Sequence, residues 1–127
     1  MSEGESKIGA IEWRDLTVDN AESVADFYQA VVGWQSSPVS MGDYNDFNML
    51  LPGSDEPAAG VCHARGSNAG MPAQWLMYVR VADVTQSCAE CERRGGKVVN
   101  GPRSMGGLEF AVIQDPAGAV LAVMSGG

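Results

Sequence analysis

The sequence predicts an α+β fold built from two tandem βαβββ modules. Three observations predict it. The order strand, helix, three strands can be read twice along the chain, and short stretches of the first half recur in the same order in the second. A small, turn-prone segment, Gly66 to Pro72, separates the two halves. The 127 residues suit one domain over residues 8–124 behind a flexible N-terminal tail at 1–7, with module one over about 8–66 and module two over about 73–124.

In the first half, Ile8 to Val18 reads as a strand, with Trp13, Asp15 and Thr17 on one face and Arg14, Leu16 and Val18 on the other. Asp19 and Asn20 offer capping side chains to a helix over Ala21 to Val32. In that helix Val24, Phe27, Tyr28, Val31 and Val32 fall at helical spacing, and Gly33 stops it. Short strands follow around Trp34–Val39, Phe47–Leu51 and Gly60–Arg65, parted by Met41-Gly-Asp43 and Pro52-Gly-Ser-Asp55. In the second half, Gln74 to Val81 is a strand and Asp83 to Arg94 a helix ended by Gly95 and Gly96. Lys97–Asn100, Leu108–Ile113 and Ala119–Met124 are the remaining strands.

Four matches support the duplication. Leu16-Thr-Val-Asp19 aligns with Val79-Arg-Val-Ala82, and Val32-Gly-Trp34 with Arg94-Gly-Gly96. Pro38-Val-Ser-Met-Gly42 aligns with Pro102-Arg-Ser-Met-Gly106, and the stretch from Glu56-Pro57 to His63 with that from Asp115-Pro116 to Ala122. One helix and four strands are too few to close a core alone. Two such units side by side would leave a curved sheet with a concave face suited to a ligand.

Composition narrows the function. Apolar residues at 45% and charged residues at 19% fit a globular chain, and no apolar run is long enough to cross a bilayer. The opening Met1-Ser-Glu-Gly-Glu-Ser-Lys7 lacks the basic and apolar regions of a secretory signal, so the expected location is the cytoplasm. A formal net charge of −8 argues against nucleic acid and anionic membrane as partners and favours a cationic ligand. The three cysteines suggest no disulfide framework. Cys88 and Cys91 form a C-x-x-C pair, but they sit inside a helix on the face of Val84, where small core residues are expected.

Asp15-Leu-Thr-Val18 running into a helix with Phe27-Tyr28 and then Val32-Gly33-Trp34, and Asp115-Pro-Ala-Gly118 before an apolar strand, together resemble the vicinal oxygen chelate superfamily. This is the superfamily of glyoxalases, bleomycin-resistance proteins and dioxygenases. The likeness runs from about Ile8 to Met124. It implies a glyoxalase-like half-barrel with a concave pocket. It also implies homodimers and, in the family's enzymes, a divalent metal that chelates neighbouring substrate oxygens. Other members bind drugs without reacting with them.

The family takes its metal ligands from the first and last strand of each module. Counting from the motifs puts those places at Trp13, His63, Leu76 and Ala122. Only His63 of these can donate a lone pair to a metal, so the usual ligand set is missing. A non-standard site would have to start from His63 and Asp15, with Glu12 and Glu109 also near strand ends.

The expected function is therefore binding of a small molecule, aromatic or cationic, in a pocket formed by Trp13, Asp15, Tyr44, His63 and Tyr78. The aromatic residues would stack on it. The alternative is a lyase, isomerase or dioxygenase-like enzyme in which His63 is the catalytic acid, base or metal ligand, with Asp15 orienting its ring. Arg80 would face the side of Tyr78 and could pair with Asp15.

Overall fold

The computed structural model describes residues 7–126. The tail expected over residues 1–7 lies outside the described residues except for Lys7. The Lys7 carbonyl accepts the Ala10 N–H at 3.0 Å, so the chain turns here, and the first strand begins at Ile11 rather than Ile8. The elements then follow as β1 (Ile11–Val18), α1 (Ala21–Val32), β2 (Gln35–Ser40), β3 (Asn45–Leu50), β4 (Pro57–His63), β5 (Trp75–Arg80), α2 (Val84–Arg93), β6 (Lys97–Met105), β7 (Leu108–Gln114) and β8 (Val120–Gly126). This is the βαβββ order twice over. A 3-10 turn at Gly66–Asn68 lies in the expected linker.

The described residues fall into two compact units, Arg14–Trp75 on one hand and residues 76–126 with 7–13 on the other. The start of β1 belongs with the second unit because Gly9 and Ala10 hydrogen-bond to both backbone groups of Arg80, and Glu12 pairs with its guanidinium. Within each unit the strands follow one plan. The order is β2-β3-β4-β1 in the first and β6-β7-β8-β5 in the second. In both, the first and fourth strands run parallel and the other neighbours antiparallel. A parallel pair cannot be joined by a hairpin, and here the helix and two strands make the crossover.

In the unit Arg14–Trp75, α1 packs on Val18, Phe47, Met49 and Val61. Ala21 and Ala25 are buried at the contact and let the helix approach the sheet. Tyr28 closes the same core, where its hydroxyl accepts the Trp75 indole N–H at 3.0 Å and its ring meets Trp34 and Trp75. The buried stripe is narrower than the helical spacing suggested. Phe27, Val31 and Val32 fall at helical spacing, yet 56%, 64% and 51% of their surface is exposed. Two alanines seat the helix so closely that the bulkier residues are turned off the contact. Gly33 ends α1 with φ 94, as expected, but Asn20 makes no side-chain cap.

In the other unit, α2 lays Val84 and Cys88 on Ala111 and Val123. Asp83 caps it by accepting the Gln86 N–H. Cys88 is packed as a core residue, and burial raises its thiol pKa above the ordinary value, with Cys91 and Glu92 adding to the rise. Gly96 lies so close to the helix end that a Cβ there would stand 2.7 Å from both Cys91 Sγ and the Gln114 carbonyl oxygen.

One expected correspondence between the modules is out of step. Asp15 pairs with Gly60, whereas its repeat counterpart Tyr78 pairs with Ala122. Ala122 therefore answers to Gly60, and His63 answers to Ser125, three residues further on. The reason lies in the turns. Asp115 opens its turn, accepting the Ala117 and Ala119 N–H groups on Oδ1, while Glu56 closes its own by accepting the Leu51 N–H on its carbonyl. The shared acid-Pro dipeptide stands at opposite ends of two similar turns.

The packing of the α2 terminus is testable. Gly96→Ala forces a Cβ against a strand carbonyl that cannot move aside. It should destabilise the protein by about 1–3 kcal/mol, read as a lower midpoint in thermal or urea unfolding. An unchanged midpoint would show that α2 does not end pressed on β7.

Candidate functional site

The sheet register decides which side chains share the face of the first unit that α1 leaves open. Phe47 pairs with Val61, and Val61 with Leu16, on the helix side. One residue out of phase, Asp15 and Thr17 of β1 lie beside Gly60 and Cys62 of β4, and Asp46 and Asn48 of β3 fall in the same rows. Thr17 and Asp46 are buried polar residues of this face. Gly60 adds no side chain to this face. The result is a polar, acidic face with a small floor.

Asp46 organises the end of β4. Its Oδ1 accepts the backbone N–H of His63 at 2.8 Å, and its carboxylate takes a hydrogen bond from the Cys62 thiol. The same oxygen stands 3.4 Å from His63 Nδ1, with side-chain exposures of 10% for Asp46 and 14% for His63. The alignment falls short of a hydrogen bond, and Nδ1 is sealed from solvent with no hydrogen-bond partner. Tyr44 meets the imidazole edge to face at 5.2 Å, and the Arg65 guanidinium lies over the Tyr44 ring at 4.5 Å. Burial pushes the Cys62 thiol up to about 12. The negative charges of Asp15 and Asp46 and the bond to Asp46 act in the same sense.

The structure thus brings two of the expected site residues, Tyr44 and His63, into contact. The carboxylate beside the imidazole is Asp46, not Asp15. Asp15 stands opposite Gly60 and acts on Cys62. Sequence reading missed Asp46 because β3 starts two residues earlier than expected. An acid alternating with Phe47 and Met49 was the signal that could have found it. Trp13 and Tyr78 belong to the other unit, and both are half-buried. The Tyr78 ring lies 6.3 Å from that of Phe110, over which the Arg103 guanidinium stacks. Arg80 does not serve Asp15 as expected. It holds Glu12 at 2.8 Å and the Gly126 carbonyl at 2.7 Å, and these contacts tie the strand end.

An open depression of about 340 Å³ in this second unit is lined by Met77, Ile113, Asp115, Ala119, Val120 and Leu121. Leu121 and Ile113 pack with the α2 core, so the depression lies on the helix-bearing face and contains none of the five expected residues.

The donor set does not fit the metal that the fold family implies. With the register corrected, the places counted from the motifs hold Trp13, His63, Leu76 and Ser125, and His63 and Ser125 fall in the rows of Val61 and Val123 on the helix-bearing faces, one residue out of phase with Trp13 and Leu76. The Ser125 hydroxyl is buried and accepts the Val84 N–H at 3.3 Å. Among the described residues no three His, Cys, Asp or Glu side chains converge closely enough to hold an ion. Nor is any described helix long and apolar enough to cross a membrane.

The Cys62 environment gives a pH-dependent expectation. Its folded pKa of about 12 lies above the ordinary 9.0. The stabilisation from keeping the thiol protonated is full below about pH 9 and is lost as pH rises toward 12. In folded protein at pH 9, alkylation of Cys62 should run roughly a thousand times slower than in urea. Asp15→Asn should speed it. Equal rates in the two states, followed by mass spectrometry of the Cys62 peptide, would contradict the buried, acid-flanked setting.

Comparison with known proteins agrees with the fold. Residues 7–123 match the family model of the Glyoxalase/Bleomycin resistance protein/Dioxygenase superfamily. A Mycobacterium bovis protein, CFP32, whose name assigns it provisionally to the glyoxylases, is 29% identical over 120 residues, covering 94% of this chain and 45% of its own length. The anthracycline biosynthesis protein DnrV of Streptomyces peucetius is 32% identical over 127 residues, covering 91% of this chain and 46% of its own. The chain spans about half the length of these curated relatives. Among solved structures, a methylmalonyl-CoA epimerase in complex with methylmalonyl-CoA and NH4+ superposes with a TM-score of 0.54 at 14% identity, covering 94% of this chain and 95% of the epimerase. The epimerase of Mycobacterium tuberculosis gives 0.52 at 16% identity, covering 92% and 87%. At such identities the likeness speaks to the fold. Duplicated βαβββ topology, parallel first and fourth strands and a family match along nearly the whole chain lead to one conclusion: this protein belongs to the Glyoxalase/Bleomycin resistance protein/Dioxygenase superfamily.

Proposed function

We propose that this chain is a metal-independent small-molecule-binding protein of the superfamily, with Asp15, Tyr44, Asp46 and His63 as the binding residues of one unit and Trp13 and Tyr78 as those of the other. The observation that carries this reading is the chemistry of the four ligand places. They hold one imidazole, one indole, one leucine and one hydroxyl already engaged with a backbone N–H. Divalent metals in such sites are held by several imidazoles or carboxylates, and a single imidazole is too few. The half-buried aromatic rings favour a flat ligand with apolar faces. Relatives named for anthracycline biosynthesis put small-molecule chemistry close to this chain. We also propose that two copies pair as a homodimer in the cytoplasm and that neither nucleic acid nor membrane is a partner.

The second reading is an enzyme in which His63 does acid-base chemistry. Its support is the carboxylate 3.4 Å from a buried ring nitrogen.

Metal analysis and a thermal-shift panel test the first reading together. Protein purified without chelator should carry less than stoichiometric metal and keep its melting temperature in EDTA. Flat aromatic molecules at about a hundred times their Kd should stabilise it by about 2.7 kcal/mol. His63→Ala should weaken the best of them by roughly tenfold. Stoichiometric metal that is lost in His63→Ala, or a broad panel with no shift, would defeat the reading. Light scattering should give a particle of two chains; a monomer would remove the homodimer.

A further inference from the structure

We infer that Asp46 holds His63 in the tautomer protonated on Nδ1, so that Nε2 is offered as a metal-free hydrogen-bond acceptor to the hydroxyl of a flat hydroxyaromatic ligand. The inference rests on the small-molecule reading above and names the ligand class of that site.

Nδ1 is the ring nitrogen sealed from water, and it has no hydrogen-bond partner. A buried polar atom left in this state calls for an explanation. The charged atom beside it is Asp46 Oδ1 at 3.4 Å. A lone pair on Nδ1 would face the carboxylate oxygen and be repelled, whereas an N–H would be attracted. The low local dielectric enlarges the difference. The carboxylate is tied down by the His63 backbone N–H at 2.8 Å and by the Cys62 thiol, so it is held beside the ring. The imidazole is steadied in turn by its roughly perpendicular contact with the Tyr44 ring, one face of which is covered by Arg65. With the proton fixed on Nδ1, the remaining lone pair is on Nε2.

That lone pair selects a donor. Asp15 and Asp46 both place negative charge on this part of the unit, as their effect on Cys62 shows, and the chain carries a net charge of −8. A carboxylate or phosphate ligand would be repelled, while a neutral O–H would not. The Tyr44 ring gives the same site an aromatic wall. A neutral, flat molecule with a phenolic hydroxyl meets both conditions. Asp46 is the positioning residue, and His63 makes the contact.

The tautomer can be read directly, because His63 is the only histidine in the chain and its ring nitrogens need no assignment. Nitrogen-15 NMR of the full chain at a pH where the ring is neutral should show a protonated Nδ1 and an unprotonated Nε2. In Asp46→Asn the population should move toward the Nε2–H form. Wild-type protein with its proton on Nε2, or an Asp46→Asn spectrum unchanged from wild type, would overturn the assignment of Asp46.

The ligand class is tested by calorimetry with 2-naphthol and 2-methoxynaphthalene, which share a ring system and differ in the donor. Wild type should prefer 2-naphthol by about tenfold. The preference, read as the ratio of the two affinities within each protein, should vanish in Asp46→Asn and in His63→Phe. Circular dichroism would verify that both variants fold. Equal affinities in wild type, or no binding of 2-naphthol, would overturn the hydroxyaromatic assignment. An empty wider panel would remove the binding reading itself and leave the NMR result standing.

Discussion

The parallel pairing of β1 with β4, held in register by the core beneath α1, is the constraint on which the rest of the candidate site depends. Val61 is buried between Leu16 and Phe47 and pressed by Ala21 and Ala25. Side chains alternate along a strand, so fixing Val61 against the helix sends Gly60 and Cys62 to the other face. A slip of one residue would bring Asp15, Asp46 and Thr17 under α1 and expose Val61. Moving two carboxylates into the apolar core there would cost several kcal/mol. The apolar core and the polar face thus specify each other.

Much of this fold was legible in the sequence, for physical reasons. Both helices carry their signals within a few residues: Gly33 at one C-terminus, Asp83 as one N-cap, and apolar residues at helical spacing. The duplication was legible because each module repeats the same turns and helix stops. What was not legible depends on pairing between distant segments. The acid-Pro dipeptides at 56 and 115 look alike locally, yet one closes its turn and the other opens it. Only the strand register reveals this, and with it that Ser125 rather than Ala122 answers to His63. Asp46 escaped notice for a related reason. Its role comes from Cys62 and His63, which are sixteen and seventeen residues away.

The two modules share a topology but not the chemistry of their open faces. In Arg14–Trp75 that face carries Asp15, Thr17, Asp46 and Cys62, three of them able to ionise. In the other unit the matching rows hold Tyr78, Ala122 and Val112, then Met124, Phe110 and Arg103. The first suits directed hydrogen bonds, and the second offers ring surfaces over a small, buried floor at Ala122 and Val112. Duplication fixes where the strands run, while substitution at alternate positions leaves the core untouched and is free to diverge.

Losing the metal set changes what a lone histidine can be. On a metal, an imidazole spends its lone pair on the ion, and its other nitrogen is oriented by a neighbouring acceptor. In this chain the orienting carboxylate is present without the partners that would complete a metal site, since the corresponding places hold Trp13, Leu76 and Ser125. The same second-rank interaction then takes a different role. By favouring a proton on the buried nitrogen, Asp46 leaves the outer one as a fixed acceptor, and a fixed acceptor beside an aromatic wall discriminates among ligands by whether they can donate. Such a site loses little when the ligand fits and leaves a lone pair unmatched when it does not, an asymmetry that gives hydrogen bonds more weight in specificity than in affinity.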